Sequence, residues 1–171
     1  MSWFRRPALP DPVRRALDLP ATDRVLASAE LADGSWAVAT RAGLLTSDAG
    51  GTTVHRHLWS DVDRAGYDPE SATITVTWVD GAPPLALRLA DPRRTSLAQT
   101  LRERVQSSVV LSETVTFAAG LTARVAVRRD ADGELFSQVV ADAGLDLTDP
   151  EVEARVDAAE VRVRSASGLP L

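Results

Sequence analysis

From Arg24 onward, apolar and polar residues alternate in short runs broken by Gly, Asp and Pro, the pattern of half-buried strands joined by tight turns. Val25, Ala27, Ala29 and Leu31 share one face of a first strand, Asp33-Gly34 supplies a hairpin turn, and Trp36, Val38 and Thr40 continue on the other side. A third strand is predicted over 43–46. After the break at Gly50-Gly51, a fourth is expected over 53–59 and a fifth over 62–67, ending at Asp68-Pro69. The next alternation is the clearest in the chain, with Ala72, Ile74, Val76 and Trp78 opposing Thr73, Thr75 and Thr77. Asp80-Gly81 then turns the chain into Leu85, Leu87 and Leu89.

The period lengthens after Asp91-Pro92, which reads as a helix cap with proline at the first helical position. Leu97, Leu101, Val105 and Val109 recur every four residues with Ala98 beside them, whereas Arg102, Glu103 and Arg104 lie off the stripe, so this helix is expected to cover a core. Alternation then returns. Val115 and Phe117 oppose Thr114 and Thr116, Ala123, Val125 and Val127 oppose Arg124 and Arg128, and Asp132-Gly133 turns into a strand over 134–140. A last helix is predicted from the Asp149-Pro150 cap to Gly168, with Val152, Val156, Ala159 and Val163 on one face and Glu151/Arg155 and Glu160/Arg164 as favourable pairs. A short helix is expected at the other end, from Asp11-Pro12 over 13–17.

These elements describe an α+β protein, mostly antiparallel β. Residues 1–22 form an arm with a short helix, 23–110 a β unit with its covering helix, and 111–171 a β meander plus helix packed on the same core. Composition supports a folded chain, with 44% hydrophobic and 25% charged residues among 171. No run approaches the roughly 20 apolar residues that span a bilayer, and none of signal-peptide length follows the start, so a cytoplasmic location is expected. Cysteine is absent, which removes thiolate chemistry and cysteine-ligated metals. All 19 basic residues are arginine, so lysine Schiff bases and P-loop lysines are removed as well.

The net charge of −5 argues against nucleic acid as a partner. The charge is also uneven. Seven acids face three arginines from Ala141 to Leu171, a net of −4, while Arg5, Arg6, Arg14 and Arg15 make the beginning basic. Trp3-Phe4 beside Arg5-Arg6 is too short a segment for more than marginal membrane binding, and no membrane role is expected.

Seven short strands followed by one amphipathic helix, across Arg24 to Val110, resemble a pleckstrin-homology-type (PH-like) barrel, two orthogonal sheets with a helix plugging an open corner. The segments Trp36-Ala37-Val38-Ala39-Thr40, Trp59-Ser60-Asp61-Val62-Asp63-Arg64-Ala65 and Leu101-Arg102-Glu103-Arg104-Val105 resemble a group of uncharacterised actinobacterial proteins. The resemblance covers about half the chain and implies a seven-stranded barrel. It does not imply phosphoinositide binding, because the first hairpin reads Leu31-Ala32-Asp33-Gly34-Ser35 where lipid-binding members carry a basic cluster. The tryptophan usual in their last helix is missing between Pro92 and Val110.

Several residues invite a chemical reading. His55 and His57 would share one strand face, a way β metal sites begin, and Asp61 and Asp63 offer oxygens, but no third ligand is set by the spacing and a solvated pair is expected. Asp130-Ala131-Asp132-Gly133-Glu134 has calcium-loop composition, yet Leu135 occupies the sixth position where an EF-hand needs glycine, so a hairpin turn is expected. No nucleophile elbow or glycine-rich phosphate loop accompanies the histidines. Arg124 and Arg128 share a strand face that Arg129 extends, so an anion or acidic partner is one reading. Their complementarity to the acidic last helix favours an internal pairing.

The expectation is therefore a non-catalytic protein-interaction module without metal or cofactor, binding a protein partner or forming a homodimer at a sheet edge or beside the covering helix. The alternative is a small-ligand or anion-binding protein, or a hydrolase, using a pocket in the C-terminal β region with Arg124 and Arg128 as anion contacts and His55 as a base.

Overall fold

The computed structural model describes residues 9–170. Helix α1 (Asp11–Ala16) precedes a four-stranded antiparallel meander of β1 (Val25–Glu30), β2 (Trp36–Thr40), β3 (Gly43–Ser47) and β4 (Val54–Leu58). A single 3-10 turn over Trp59–Asp61 leads into a second meander of β5 (Val62–Asp68), β6 (Thr73–Trp78) and β7 (Leu85–Arg88). Helix α2 (Ser96–Ser108) follows, then a third meander of β8 (Val109–Thr116), β9 (Thr122–Arg129) and β10 (Leu135–Ala141), and finally α3 (Pro150–Ser167). The molecule is α+β with antiparallel sheets and three α-helices among the described residues. Its strands are hydrogen-bonded as three separate sheets and not as one closed barrel.

The first two sheets and α2 share one core. Ala37, Ala39 and Leu44 from one sheet meet Val62, Ile74, Val76 and Leu87 from the other, and Leu97, Leu101 and Val105 of α2 close it. The four-residue spacing of the α2 stripe is what brings those three side chains onto one face. An isolated bridge between Leu31 and Leu89 joins the two sheets at one corner.

Strand β2 is buried at all five positions, so it has no solvent face. Its Trp36 and Val38 point away from α2 and pack with Leu45 against Leu9, Val13 and Leu17 of the α1 region. Gly51, at φ +73, admits this helix: a Cβ there would lie 2.8 Å from the Pro12 carbonyl oxygen. The N-terminal arm is therefore a packed cover from Leu9 onward.

The predicted start of α2 needs correction. Asp91 does not cap the helix. Its carboxylate accepts from the Arg93 N–H at 3.0 Å and Arg94 Nε at 3.2 Å, closing a separate turn, and helical bonding begins with Gln99 N–H to Thr95 C=O. An Asp-Pro pair suits such a turn as well as it suits a cap. The Asp149-Pro150 cap does form: the Asp149 carboxylate accepts from the N–H groups of Glu151 and Val152, and Gly168 ends α3 at φ +77.

The C-terminal segment buries a cluster of its own. Val115, Ala123, Val125 and Val127 pack against Val156, Ala159 and Val163 of α3, separately from the first core. The Glu160–Arg164 pair forms at 3.3 Å. Arg155 instead lies over the Phe117 ring, 4.5 Å from its centroid, and donates to the Thr116 carbonyl.

Candidate functional site

Two features of this fold bear on function, a polar seam between the two units and a groove on the first. The seam centres on Arg128, which is 3% exposed. Alternation along β9 sends Val125 and Val127 toward α3 and sends Arg124 and Arg128 to the opposite face, against the first unit. The Arg128 guanidinium donates to the carbonyls of Trp59 at 2.9 Å, Val62 at 3.0 Å and Ser60 at 3.3 Å. It also donates to Ser108 Oγ at 2.7 and 3.1 Å and to Gln138 Oε1 at 2.9 Å. Gln138 adds a bond from Nε2 to the Ser60 carbonyl at 3.0 Å.

The seam is reinforced on both sides. Trp59 is buried and its indole N–H donates to the carbonyls of Thr40 and Arg41, pinning the 3-10 turn to the β2–β3 corner. Asp61 closes that turn by accepting from the Leu58 N–H at 2.9 Å. Asp63 falls where the β5–β6 register shifts, a bulge that re-aims its side chain, and its carboxylate pairs with Arg124 as well as with Arg64. Burial, followed by the neighbouring charge of Arg124, pulls the Arg128 guanidinium below its ordinary pKa, while Asp61 opposes the shift. An arginine remains charged there because its donors meet oriented oxygens.

Of the three arginines singled out from the sequence, the structure brings Arg124 and Arg128 together and leaves Arg129 exposed at the strand end. Arg128 is engaged internally and Arg124 is paired with Asp63. The expected pairing of this face with the acidic last helix is corrected, because α3 covers the other face of β9 and the seam partner is the Trp59–Asp63 segment. Pattern alone missed this partner. The signal available was the dense sequence Trp59-Ser60-Asp61-Val62-Asp63, which carries more polar groups than a simple strand requires.

The histidines sit on β4, in the first unit. His55 is exposed, and His57 stacks on Trp78 with ring centroids 4.4 Å apart. No group of three or more metal-ligating side chains occurs among the described residues. Asp130 takes the expected turn role, accepting from the N–H groups of Asp132 and Glu134 between β9 and β10. Trp3, Phe4, Arg5 and Arg6 lie outside the described residues.

The groove runs between the outer edge of β1 and α2 and encloses about 610 Å³. Leu17, Leu19, Val25 and Leu26 give it an apolar side, while Gln99 and Glu103 of α2 face them with Arg14 at one end. Strand β1 is the edge of its sheet. The end of β7 covers that edge only near Glu30, through Ala90 N–H to Glu30 C=O and Ala32 N–H to Arg88 C=O. The alternation that sends the Glu30 carbonyl outward also sends the Ser28 backbone groups outward, into the groove. Among the described residues, no helix is long and apolar enough to cross a membrane.

No protein-family model, curated protein or solved structure matches the chain.

Proposed function

We propose that this chain is a non-catalytic, cytoplasmic protein-interaction module whose first unit is a PH-like barrel, and that it takes an extended segment of a partner protein along β1. Strands β1 to β7 in four- and three-stranded meanders, joined at the Leu31–Leu89 corner and covered by α2, support the PH-like reading. Membership in an actinobacterial group stays part of this proposal, on the three segments quoted above. The observation that carries the function is the edge of β1, uncovered among the described residues between Val25 and Ser28, beside a groove with one apolar and one polar side, since strand addition needs free backbone groups and pockets for alternate side chains. The fitting occupant is an extended protein segment with apolar residues at alternate positions. A second copy of the chain is the other occupant the test distinguishes.

The test compares capture of partners from host lysate by the wild-type protein and by two edge variants, Ser28→Pro, which removes an outward N–H, and Leu26→Asp, which charges the groove. A near-stoichiometric partner lost with both variants and retained by Arg129→Gln supports the reading. A partner retained by both edge variants overturns it, as does self-association that both variants abolish with no other protein bound.

A further inference from the structure

A second concavity, of about 520 Å³, lies where the start of β1, the β2–β3 turn, α2 and the β9–β10 turn converge. Its lining is dominated by three arginines from three elements, Arg24, Arg41 and Arg104, with Asp130 and Thr22 beside them. Backbone contacts hold the cluster together. The Arg41 N–H donates to the Arg24 carbonyl at 3.2 Å, and Arg41 Nη2 donates to the Ala131 carbonyl at 3.1 Å, clamping the second unit's hairpin onto the rim. None of the three guanidiniums has a carboxylate within 4 Å among the described residues. Two acids beside the cluster, Asp130 and Asp23, direct their carboxylates to backbone N–H groups and not to the guanidiniums. Asp130 accepts the N–H groups of its own turn, and Asp23 accepts those of Arg24 and Ala42.

Three arginines without a carboxylate partner among the described residues line one open recess, with Arg24 and Arg41 exposed and Arg104 half-buried, in a chain whose net charge is −5. Planar N–H forks in this number match the oxygens of a phosphate group, and the volume exceeds what one bare phosphate fills. We infer that this recess binds a small phosphorylated ligand, with Arg24, Arg41 and Arg104 on its phosphate oxygens and Asp130 and Thr22 at its polar organic part. The site is separate from the β1 groove and stands whether or not that groove takes a partner.

Titration calorimetry of the full chain with inorganic pyrophosphate, beside flotation with phosphatidylcholine vesicles with and without phosphatidic acid, tests the inference and the source of the phosphate. The expected result is saturable pyrophosphate binding, weakened about tenfold by each of Arg24→Gln and Arg104→Gln, since hydrogen bonds to charged groups are worth that much. Arg102→Gln, which removes an exposed arginine of the same helix outside the recess, leaves it unchanged. Binding to phosphatidic acid vesicles alone, lost in the same two variants, supports the same site with a lipid headgroup as the source. Absence of binding to either probe, or binding that Arg24→Gln and Arg104→Gln leave intact, overturns it.

Discussion

The two units bury their sheets by opposite means. In the first, β2 is apolar on both faces, one toward α2 and one toward α1, and the core is built from leucine, isoleucine, valine, alanine and tryptophan. In the second, β9 is apolar on one face only. Its other face carries Arg124, Ala126 and Arg128, and there Arg128 is buried against main-chain oxygens of the first unit. The apolar cluster under α3 is assembled mainly from valine and alanine, which bury less area per residue than leucine. The second unit is therefore expected to depend on the seam more than the first does, although Arg128 also serves carbonyls of the first unit.

Removing the seam has the largest expected effect. Arg128→Leu leaves the carbonyls of Trp59, Ser60 and Val62 buried with fewer donors, and loss of such a network is expected to destabilise the C-terminal unit by about 3–5 kcal/mol. Urea unfolding followed by far-UV circular dichroism should become biphasic. Tryptophan fluorescence should follow mainly the later transition, because the Trp36 and Trp59 rings are buried in the first unit, with a smaller change in the earlier one from Trp59 at the seam. Coincident transitions by both probes would contradict the dependence.

Leu101→Ala comes next. It opens a cavity in the first core and is expected to cost about 2–5 kcal/mol. Since the second unit leans on the first, both probes should shift together in this variant, the reverse of the Arg128 pattern. A shift confined to fluorescence would break the comparison.

Arg124→Ala leaves the buried Asp63 carboxylate with only the exposed Arg64, and a loss of about 1–3 kcal/mol is expected in the same denaturation assay. Asp63→Asn should recover part of it by removing the stranded charge. Equal stability of Arg124→Ala and the parent would mean that Asp63 is satisfied without the seam.

The smallest effect is electrostatic. Glu113 of β8 accepts both donors of Arg162 on α3, at 2.5 and 3.0 Å, and these bonds hold its carboxyl below the ordinary carboxylate range. A lowered folded-state pKa contributes stability that is present above the unfolded value and lost as pH falls through the folded one. Glu113→Gln should therefore lower stability slightly at neutral pH, leave it unchanged at low pH where the carboxyl is protonated, and so flatten the acid limb of a stability–pH curve. An unchanged acid limb would show that the pair contributes nothing there.

Much of this fold was legible in the alternation along the chain. The turns at Asp33-Gly34, Asp80-Gly81 and Asp132-Gly133, the α2 stripe and the Asp149 cap all follow from local chemistry, and local chemistry is what a sequence carries. The seam was not legible, for a physical reason. Charge complementarity points the Arg124 and Arg128 face toward the acidic last helix, and periodicity cannot reveal a set of carbonyl oxygens that a distant 3-10 turn supplies. The same limit applied at Asp91-Pro92, where turn and cap share one signature. It applied as well to Arg24, Arg41 and Arg104, which lie far apart in sequence and meet only in the fold.

Native-state hydrogen exchange on the parent chain and Arg128→Leu tests the seam most directly, because it reads each sheet separately. The expected result is that amides of β8 and β9 lose protection in the variant while those of β6 keep theirs. Equal protection of both sheets in parent and variant, or an equal loss in both, would contradict an arginine seam as the feature that holds the second unit to the first.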